Sequence, residues 1–457
     1  MNDINNFKID IPYPVRDILN TLKSNGHEAY IVGGCVRDAL LGREPEDWDI
    51  TTSALPSEVK SLFHSTVDTG IQHGTVMVIR GGEGYEVTTY RVDGEYRDGR
   101  HPESVTFTRS LAEDLKRRDF TINAFAWDED GLKDMFDGIS DLEQGIIRCV
   151  GNPDERFNED ALRIMRAVRF SAQLGFKIEP ETRGMISKHE KRLSDVSMER
   201  IRVEFEKTLL SGHPEIVDEY AELGLGRYIT GEVHGKCFDR NAVPVLRELL
   251  RRRTEHENVL KAVTDDPAGT TSGNEISEMY RQLSMAAFFH KLTPEETGRV
   301  FRYMKYDNRT RDAVVRIIEY KDTALTSDRA GIKRQLNKMG ASAMKAVLEY
   351  KDAVRHVYGK TAGEHLPEYD TASDDILDDV KGQTDDILRS GEPWSIAQLA
   401  VSGSDLIAAG IPAGKKIGET LEKILQKVIQ SPTLNTKEKL SDSVFLREMC
   451  DESRINL

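Results

Sequence analysis

The sequence predicts an α+β head built on a mixed sheet, followed by an all-helical remainder. Short β-branched runs alternate with helical stretches up to about residue 150. "AYIVGG", "DWDITT", "GTVMVIR", "YEVTTYR" and "SVTFT" are the strand candidates, and their alternation with helices is the pattern of a mixed sheet. After that point almost every segment has helical apolar spacing. It breaks at Gly175, Gly212-His213-Pro214, Thr293-Pro294 and Ser431-Pro432. At 457 residues the chain is also too long for one core, so several domains are expected.

Composition narrows the class. The chain is 38% hydrophobic and 31% charged, the balance of an ordered, helix-rich protein. No apolar run approaches the roughly eighteen residues of a membrane span. The opening MNDINNFKID has neither the basic nor the apolar region of a secretory signal. Cys35, Cys149, Cys237 and Cys450 lie far apart without C-x-x-C spacing, against a zinc site or disulfide framework. A cytoplasmic protein is expected.

A net charge of −15 does not by itself suit a nucleic-acid binder, but the charges segregate. From Arg329 to Lys360 there are eight Lys/Arg and two Asp/Glu; from Thr361 to Ala400 there are ten Asp/Glu and two Lys/Arg. A further basic run is Arg251-Arg252-Arg253. A solvated helix face is the plain alternative for each run.

Residues 31 to 50, "IVGGCVRDALLGREPEDWDI", read as strand, glycine turn, helix and second strand. On a strand, residues i and i+2 share a face, so Asp47 and Asp49 would stand side by side. Adjacent anions repel unless a cation lies between them, and hard oxygen ligands suit Mg²⁺. Glu86 in "YEVTTYR" is the third carboxylate candidate. Two metals about 3.5–4 Å apart would activate an attacking hydroxyl and stabilise a leaving pyrophosphate. The Gly33-Gly34 turn allows close approach to a triphosphate, and Arg37 supplies charge-assisted donors. A solvated D-x-D loop is the competing reading.

"GGCVRDALLG" followed by "DWD" resembles the active-site signature of the DNA polymerase β nucleotidyltransferase superfamily. "RRDFTINA" (117–124), "DGISDLEQGIIR" (137–148), "EDALRIMRAVRF" (159–170) and "SMERIRVEFEKTLLSG" (197–212) follow in order. Together they resemble the class II tRNA CCA-adding enzymes and bacterial poly(A) polymerases, and "GIPAGKKIGETLEKIL" (410–425) is similar to the C-terminal region of the former. The resemblance implies a polymerase β-like head over residues 1–150, a base-recognising helical neck over 151–214, a body over 215–326 and a tail over 327–457, the last expected from its charge to bind tRNA. It also implies Mg²⁺ as cofactor, CTP and ATP as substrates, and a tRNA acceptor end bound through shape and phosphates.

Within these motifs, Asp160 and Arg163 are three apart and would share a helix face. Cytosine and adenine each present an amino donor beside a ring-nitrogen acceptor, which an aspartate and an arginine match. Uracil and guanine would turn a carbonyl oxygen toward the aspartate, leaving an unpaired or repelled group at about 1–3 kcal/mol per contact. The alternative is an ordinary surface ion pair; the resemblance assigns these two residues to base recognition. Arg166 and Arg169 continue the stripe toward the triphosphate, while Ile164, Val168 and Phe170 are expected to bury the opposite face. The resemblance gives Arg118, Asp119 and Asn123 to nucleotide and ribose contacts, and makes 137–148 a flexible element between head and neck. Glu199, Arg200 and Glu204 are expected to tie neck helices together.

"TG-x-x-HGTV" before Glu86 resembles CCA-adding enzymes, whereas the "GRRF" stretch of related poly(A) polymerases and their basic extension are absent. Residues 92–107 resemble the flexible loop of full CCA-adding enzymes, with Arg97, Arg100 and His101 as its working candidates. Full CCA addition is the reading adopted; an A-adding or CC-adding enzyme of a split pair is its rival. An RNA-binding protein with an inactive head is disfavoured because Asp47, Asp49 and Glu86 are all present. An appended metal phosphohydrolase is disfavoured because Lys291 follows His290 where an aspartate is required. In the tail, the charge of the basic stretch 329–360 alone suggests contact with the upper stem of the tRNA, with Lys333, Arg334 and Lys338 as the candidates.

Overall fold

The computed structural model describes residues 8–94, 104–263, 271–359 and 374–450. The chain divides into two units. One runs to Phe238 and includes Tyr303–Lys305; the other comprises Asp239–Arg302 and the chain from Tyr306 onward.

The first unit opens with helix α1 (Tyr13–Ser24), whose Val15, Ile18, Leu19 and Leu22 are buried at i, i+3, i+4 and i+7. The strands are β1 (Ala29–Val32), β2 (Ile50–Thr52), β3 (Thr66–Gly70), β4 (Thr75–Arg80), β5 (Glu83–Thr89), β6 (Arg91–Asp93), β7 (Val105–Phe107), β8 (Phe125–Asp128) and β9 (Gly131–Asp134). Seven of them form one mixed sheet in the order β3-β4-β5-β2-β1-β8-β9. The β2–β5 pair is parallel; the others in this sheet are antiparallel. The separate β6–β7 pair brackets the 92–107 loop; Arg97, Arg100 and His101 lie outside the described residues.

Helices α2 (Gly34–Leu40), α3 (Pro56–Leu62) and α4 (Leu111–Lys116) connect the strands. Val32, Tyr90, Leu111, Leu115 and Ala126 form a buried cluster against the sheet. The element expected to be flexible folds as α5 (Gly138–Gln144) and the two-residue strand β10 (Ile146–Ile147), which pairs in parallel with β11 (Lys177–Ile178). Asp141 anchors it, accepting from Thr121 Oγ1 at 2.7 Å and from Arg148 Nε at 3.1 Å. The remaining helices that matter for the site are α6 (Pro153–Glu159), α7 (Leu162–Leu174), α8 (Pro180–His189) and α9 (Met198–Leu209). Gly175 ends α7 in a left-handed conformation, φ 73°, as its place in the pattern suggested.

The second unit is helical throughout its described residues. One core cluster gathers Ile332, Leu336, Met344, Val347, Leu377 and Val380; another gathers Leu406, Ile424, Val428 and Leu446. Two charge-based expectations are corrected here. Arg252 pairs internally with Glu248 at 2.7 Å and with Glu349 and Asp352 at 2.9 Å, rather than presenting a basic face. Lys333 is buried and ion-paired with Glu392, so it is not an RNA contact; Arg334 and Lys338 do remain exposed. Lys333 follows Ile332 on a helix whose Gly331, Ile332 and Leu336 are all buried, and its amine is compensated by a carboxylate distant in sequence.

Candidate active site

The parallel pairing of β2 with β5 builds the acidic wall. Ile50 lies opposite Val87, so the preceding residues, Asp49 and Glu86, are brought alongside each other. The expected strand over Asp47–Ile50 is shorter than the spacing suggested, because β2 starts at Ile50. On the β1 side pairing stops there because β1 ends at Val32 and turns into α2. Extended pairing persists only as far as Asp49, whose carbonyl accepts from the Val32 N–H at 3.0 Å.

Burial pushes the Asp49 pKa up; Arg118 opposes this and Asp47 adds to it. The Glu86 pKa is raised by burial and then by the charges of Asp49 and Asp47. No hydrogen bond is among the influences on either carboxylate. A set of oxygen donors that repel one another and lack hydrogen-bonded compensation fits a hard divalent cation. Among the described residues, no three His, Cys, Asp or Glu side chains are gathered tightly enough to hold an ion.

Opposite these acids stands a polar chain that begins at the glycine turn. Gly33 has φ 84°, and a Cβ there would meet Arg118 Nη1 at 2.9 Å. The conformation favours glycine, and any larger residue would also have to displace the Arg118 guanidinium. Arg37 on α2 donates to Asp38 Oδ1 at 2.8 Å and to Asn123 Oδ1 at 2.6 Å. Asn123 Nδ2 donates to Asp119 Oδ1 at 3.1 Å, and Asp119 Oδ2 accepts from Arg166 Nε at 2.7 Å. Burial would raise the Asp119 pKa, but the Arg166 charge and hydrogen bond, with the Asn123 bond, hold it at about 2. Arg169 pairs with Glu204 at 2.9 Å, joining α7 to α9.

Asp160 and Arg163 depart from the expected geometry. Asp160 caps the end of α6 in an extended conformation, φ −137°, before α7 begins at Leu162. The break turns the two side chains to different partners. Asp160 Oδ2 meets Arg200 Nη2 at 2.8 Å, whereas Arg163 Nη1 meets Glu159 Oε2 at 2.6 Å. Arg200 and Glu204 make ties between neck segments of the kind expected of them, whereas Glu199 pairs with Lys305, outside the neck, at 2.9 Å.

A cavity of about 630 Å³ brings most of these groups together. Asp47, Asp49, Gly33, Gly34 and Arg37 line it from the head. Arg118, Asp119, Asn123, Arg166 and Arg169 line it from the later motifs, while Glu86, Asp160 and Arg163 are not among its lining residues. Phe170, Gln173, Lys207 and Ser211 do line it and were not singled out as site residues. Ile164, Val168 and Phe170 are all buried as expected, but Phe170 belongs to the cavity wall and not to the opposite face. Its position explains the correction: Arg166, Arg169, Phe170 and Gln173 stand at i, i+3, i+4 and i+7 of one helix face. That spacing was readable in the sequence.

A mixed sheet offering carboxylates to an arginine-lined cavity, in this motif order, defines a nucleotidyltransferase. Residues 29–148 match the Poly A polymerase head domain, 175–235 match "Probable RNA and SrmB-binding site of polymerase A", and 280–444 match tRNA nucleotidyltransferase domain 2. The CCA-adding enzyme of Lactiplantibacillus plantarum is 38% identical over 447 residues, covering 95% of this chain and 96% of its own length. That of Limosilactobacillus fermentum is 38% identical over 430 residues, covering 93% and 95%. The solved Bacillus stearothermophilus CCA-adding enzyme in complex with CTP superposes with a TM-score of 0.73 at 32% identity, covering 96% of this chain and 98% of that one. The chain belongs to the CCA-adding enzyme family of tRNA nucleotidyltransferases.

Proposed function

We propose that this enzyme completes or repairs the 3′ end of tRNA by adding C, C and A from CTP and ATP without a nucleic-acid template. The observation that carries the reading is the cavity itself, where Asp47 and Asp49 share one space with Arg37, Arg118, Arg166 and Arg169. In the reaction the tRNA 3′-hydroxyl attacks the α-phosphorus, a phosphodiester forms, the bond to pyrophosphate breaks, and the hydroxyl proton leaves to solvent.

Asp47 and Asp49 would hold Mg²⁺, and Glu86, which does not line the cavity, would have to draw closer to serve as the third carboxylate; a pair of such ions, when bound, supplies activation of the hydroxyl and neutralisation of the leaving pyrophosphate. The arginines bind the triphosphate by charge-assisted hydrogen bonds, and the glycine turn lets the backbone approach it. Asp119 and Asn123 are assigned to the ribose. Asp160 and Arg163 are assigned to the base edge on chemical complementarity; that role requires their ion pairs with Arg200 and Glu159 to open when a base arrives.

The division into head, neck, body and tail at residues 150, 214 and 326 belongs to the same proposal, as do tRNA binding by the tail and a cytoplasmic location. Among the described residues, no helix is long and apolar enough to cross a membrane.

Nucleotide incorporation tests the reading. With Mg²⁺ and tRNAs ending before CCA, after C and after CC, each offered CTP, ATP or both, extension should proceed to CCA and stop. Addition of A to the CC-ended tRNA alone would instead mark an A-adding member of a split pair. Long untemplated A tails would mark a poly(A) polymerase, the activity named for the relatives of the head.

A further inference from the structure

The arginines of the cavity converge on one aromatic ring. The guanidinium carbons of Arg37, Arg166 and Arg169 lie 5.2, 5.2 and 4.1 Å from the centroid of Phe170. Arg166 and Arg169 share α7 with the ring, whereas Arg37 comes from α2, so Phe170 connects the glycine-turn helix to the neck helix. The ring packs edge-to-face on Phe120 at 5.8 Å and 80°, and Phe120 is fully buried. Each arginine also has a carboxylate of its own: Asp38 for Arg37, Asp119 for Arg166 and Glu204 for Arg169.

Three guanidinium groups crowded into one wall repel one another. Asp38, Asp119 and Glu204 each compensate one of them, whereas the Phe170 ring is shared by all three. An aromatic face carries negative quadrupole density and attracts cations, more so where water is excluded. A leucine would fill similar space and offer no such attraction.

We propose that Phe170 is a positioning residue for nucleotide binding: its ring holds Arg37, Arg166 and Arg169 gathered at the cavity wall before the nucleotide arrives. This rests on the reading of the cavity as the CTP and ATP site. Pre-organisation of this kind lowers the cost of binding rather than adding a contact. The effect should therefore fall on the polyphosphate and be the same for CTP and ATP.

The test replaces Phe170 in the full chain with phenylalanines of increasing fluorination, which keep the shape while draining the ring's π density. Titrations of CTP, ATP and inorganic tripolyphosphate, without turnover, should show affinity falling stepwise to about tenfold at full fluorination. In turnover, KM for both nucleotides should rise by the same factor, while kcat and tRNA KM hold. F170Y should restore wild-type values and F170L should resemble the fully fluorinated ring. Affinity that does not change across the fluorinated series, with folding and melting temperature preserved, overturns the proposal. If the wild-type enzyme binds neither nucleotide nor tripolyphosphate, the reading of the cavity fails instead. Because the fluorinated rings are near-isosteric, the test does not depend on F170L folding.

Discussion

Arg118 lies across the bare Cα of Gly33, its Nη1 placed where a side chain at that position would stand 2.9 Å away. The two residues are far apart in sequence, yet each limits the other. The turn needs φ 84°, which an L side chain rarely adopts, and the guanidinium needs the space the missing side chain leaves. Arg118 is also the group that counters the rise in the Asp49 pKa, so the contact links the turn to the carboxylate wall.

G33A is therefore expected to act twice. Backbone strain should lower stability by about 1–3 kcal/mol. Displacing one charge-assisted donor should weaken nucleotide binding by about tenfold or more. Denaturant unfolding and nucleotide titration read the two effects separately; unaltered binding would show that Arg118 can shift at no cost.

Replacing Asp47 should remove transfer but not RNA binding. D47A is expected to reduce nucleotide incorporation by about a thousandfold or more, because several kcal/mol of transition-state stabilisation is at stake. tRNA affinity by filter binding should stay near wild type. A metal chelator should stop the wild-type enzyme in the same way. Retained transfer in D47A would remove this residue from the catalytic assignment.

The Asp119–Arg166 pair predicts a particular pH dependence. The Asp119 pKa is held at about 2 in the folded protein, below its ordinary value near 4. A depressed folded pKa contributes stability that is complete above the unfolded pKa and is lost as pH falls through the folded one. D119N should thus cost about 2 kcal/mol near neutral pH, with the gap to wild type closing between about pH 4 and pH 2. Unfolding free energies across that range check it, and a gap independent of pH would mean the carboxylate charge is not what matters.

Lys333 and its exposed neighbours should behave differently. K333E leaves Glu392 facing a like charge in a buried setting, and breaking such a pair costs about 3–5 kcal/mol. R334E and K338E should keep the melting temperature and weaken tRNA binding with a shallower salt dependence. If these two variants bind tRNA like wild type, the tail stretch is not the RNA contact.

Much of this molecule was legible in the sequence because the relevant signals are local. Period-two runs marked β1, β2, β4, β5 and β7, glycines and prolines marked the helix breaks, and motif order marked the family. The residue types at the cavity were also readable: Gly33, Arg37, Asp47, Asp49, Arg118, Asp119, Asn123, Arg166 and Arg169 all line it.

What the tertiary structure decided is non-local. Which strand lies beside β2 could not be read from either segment, yet that parallel pairing is what sets Glu86 next to Asp49. A helical reading of 159–170 did not reveal the helix break at Asp160 that gives it to Arg200. Local charge density could not separate buried Lys333 from exposed Arg334, because burial depends on a carboxylate supplied from residue 392. The spacing of 166–173 could place Phe170 beside Arg166 and Arg169, but only the fold brought Arg37 of α2 over the ring that α7 presents. Backbone patterning depends on neighbours within a few residues, whereas charge compensation and side-chain stacking depend on groups that meet only when the chain has folded.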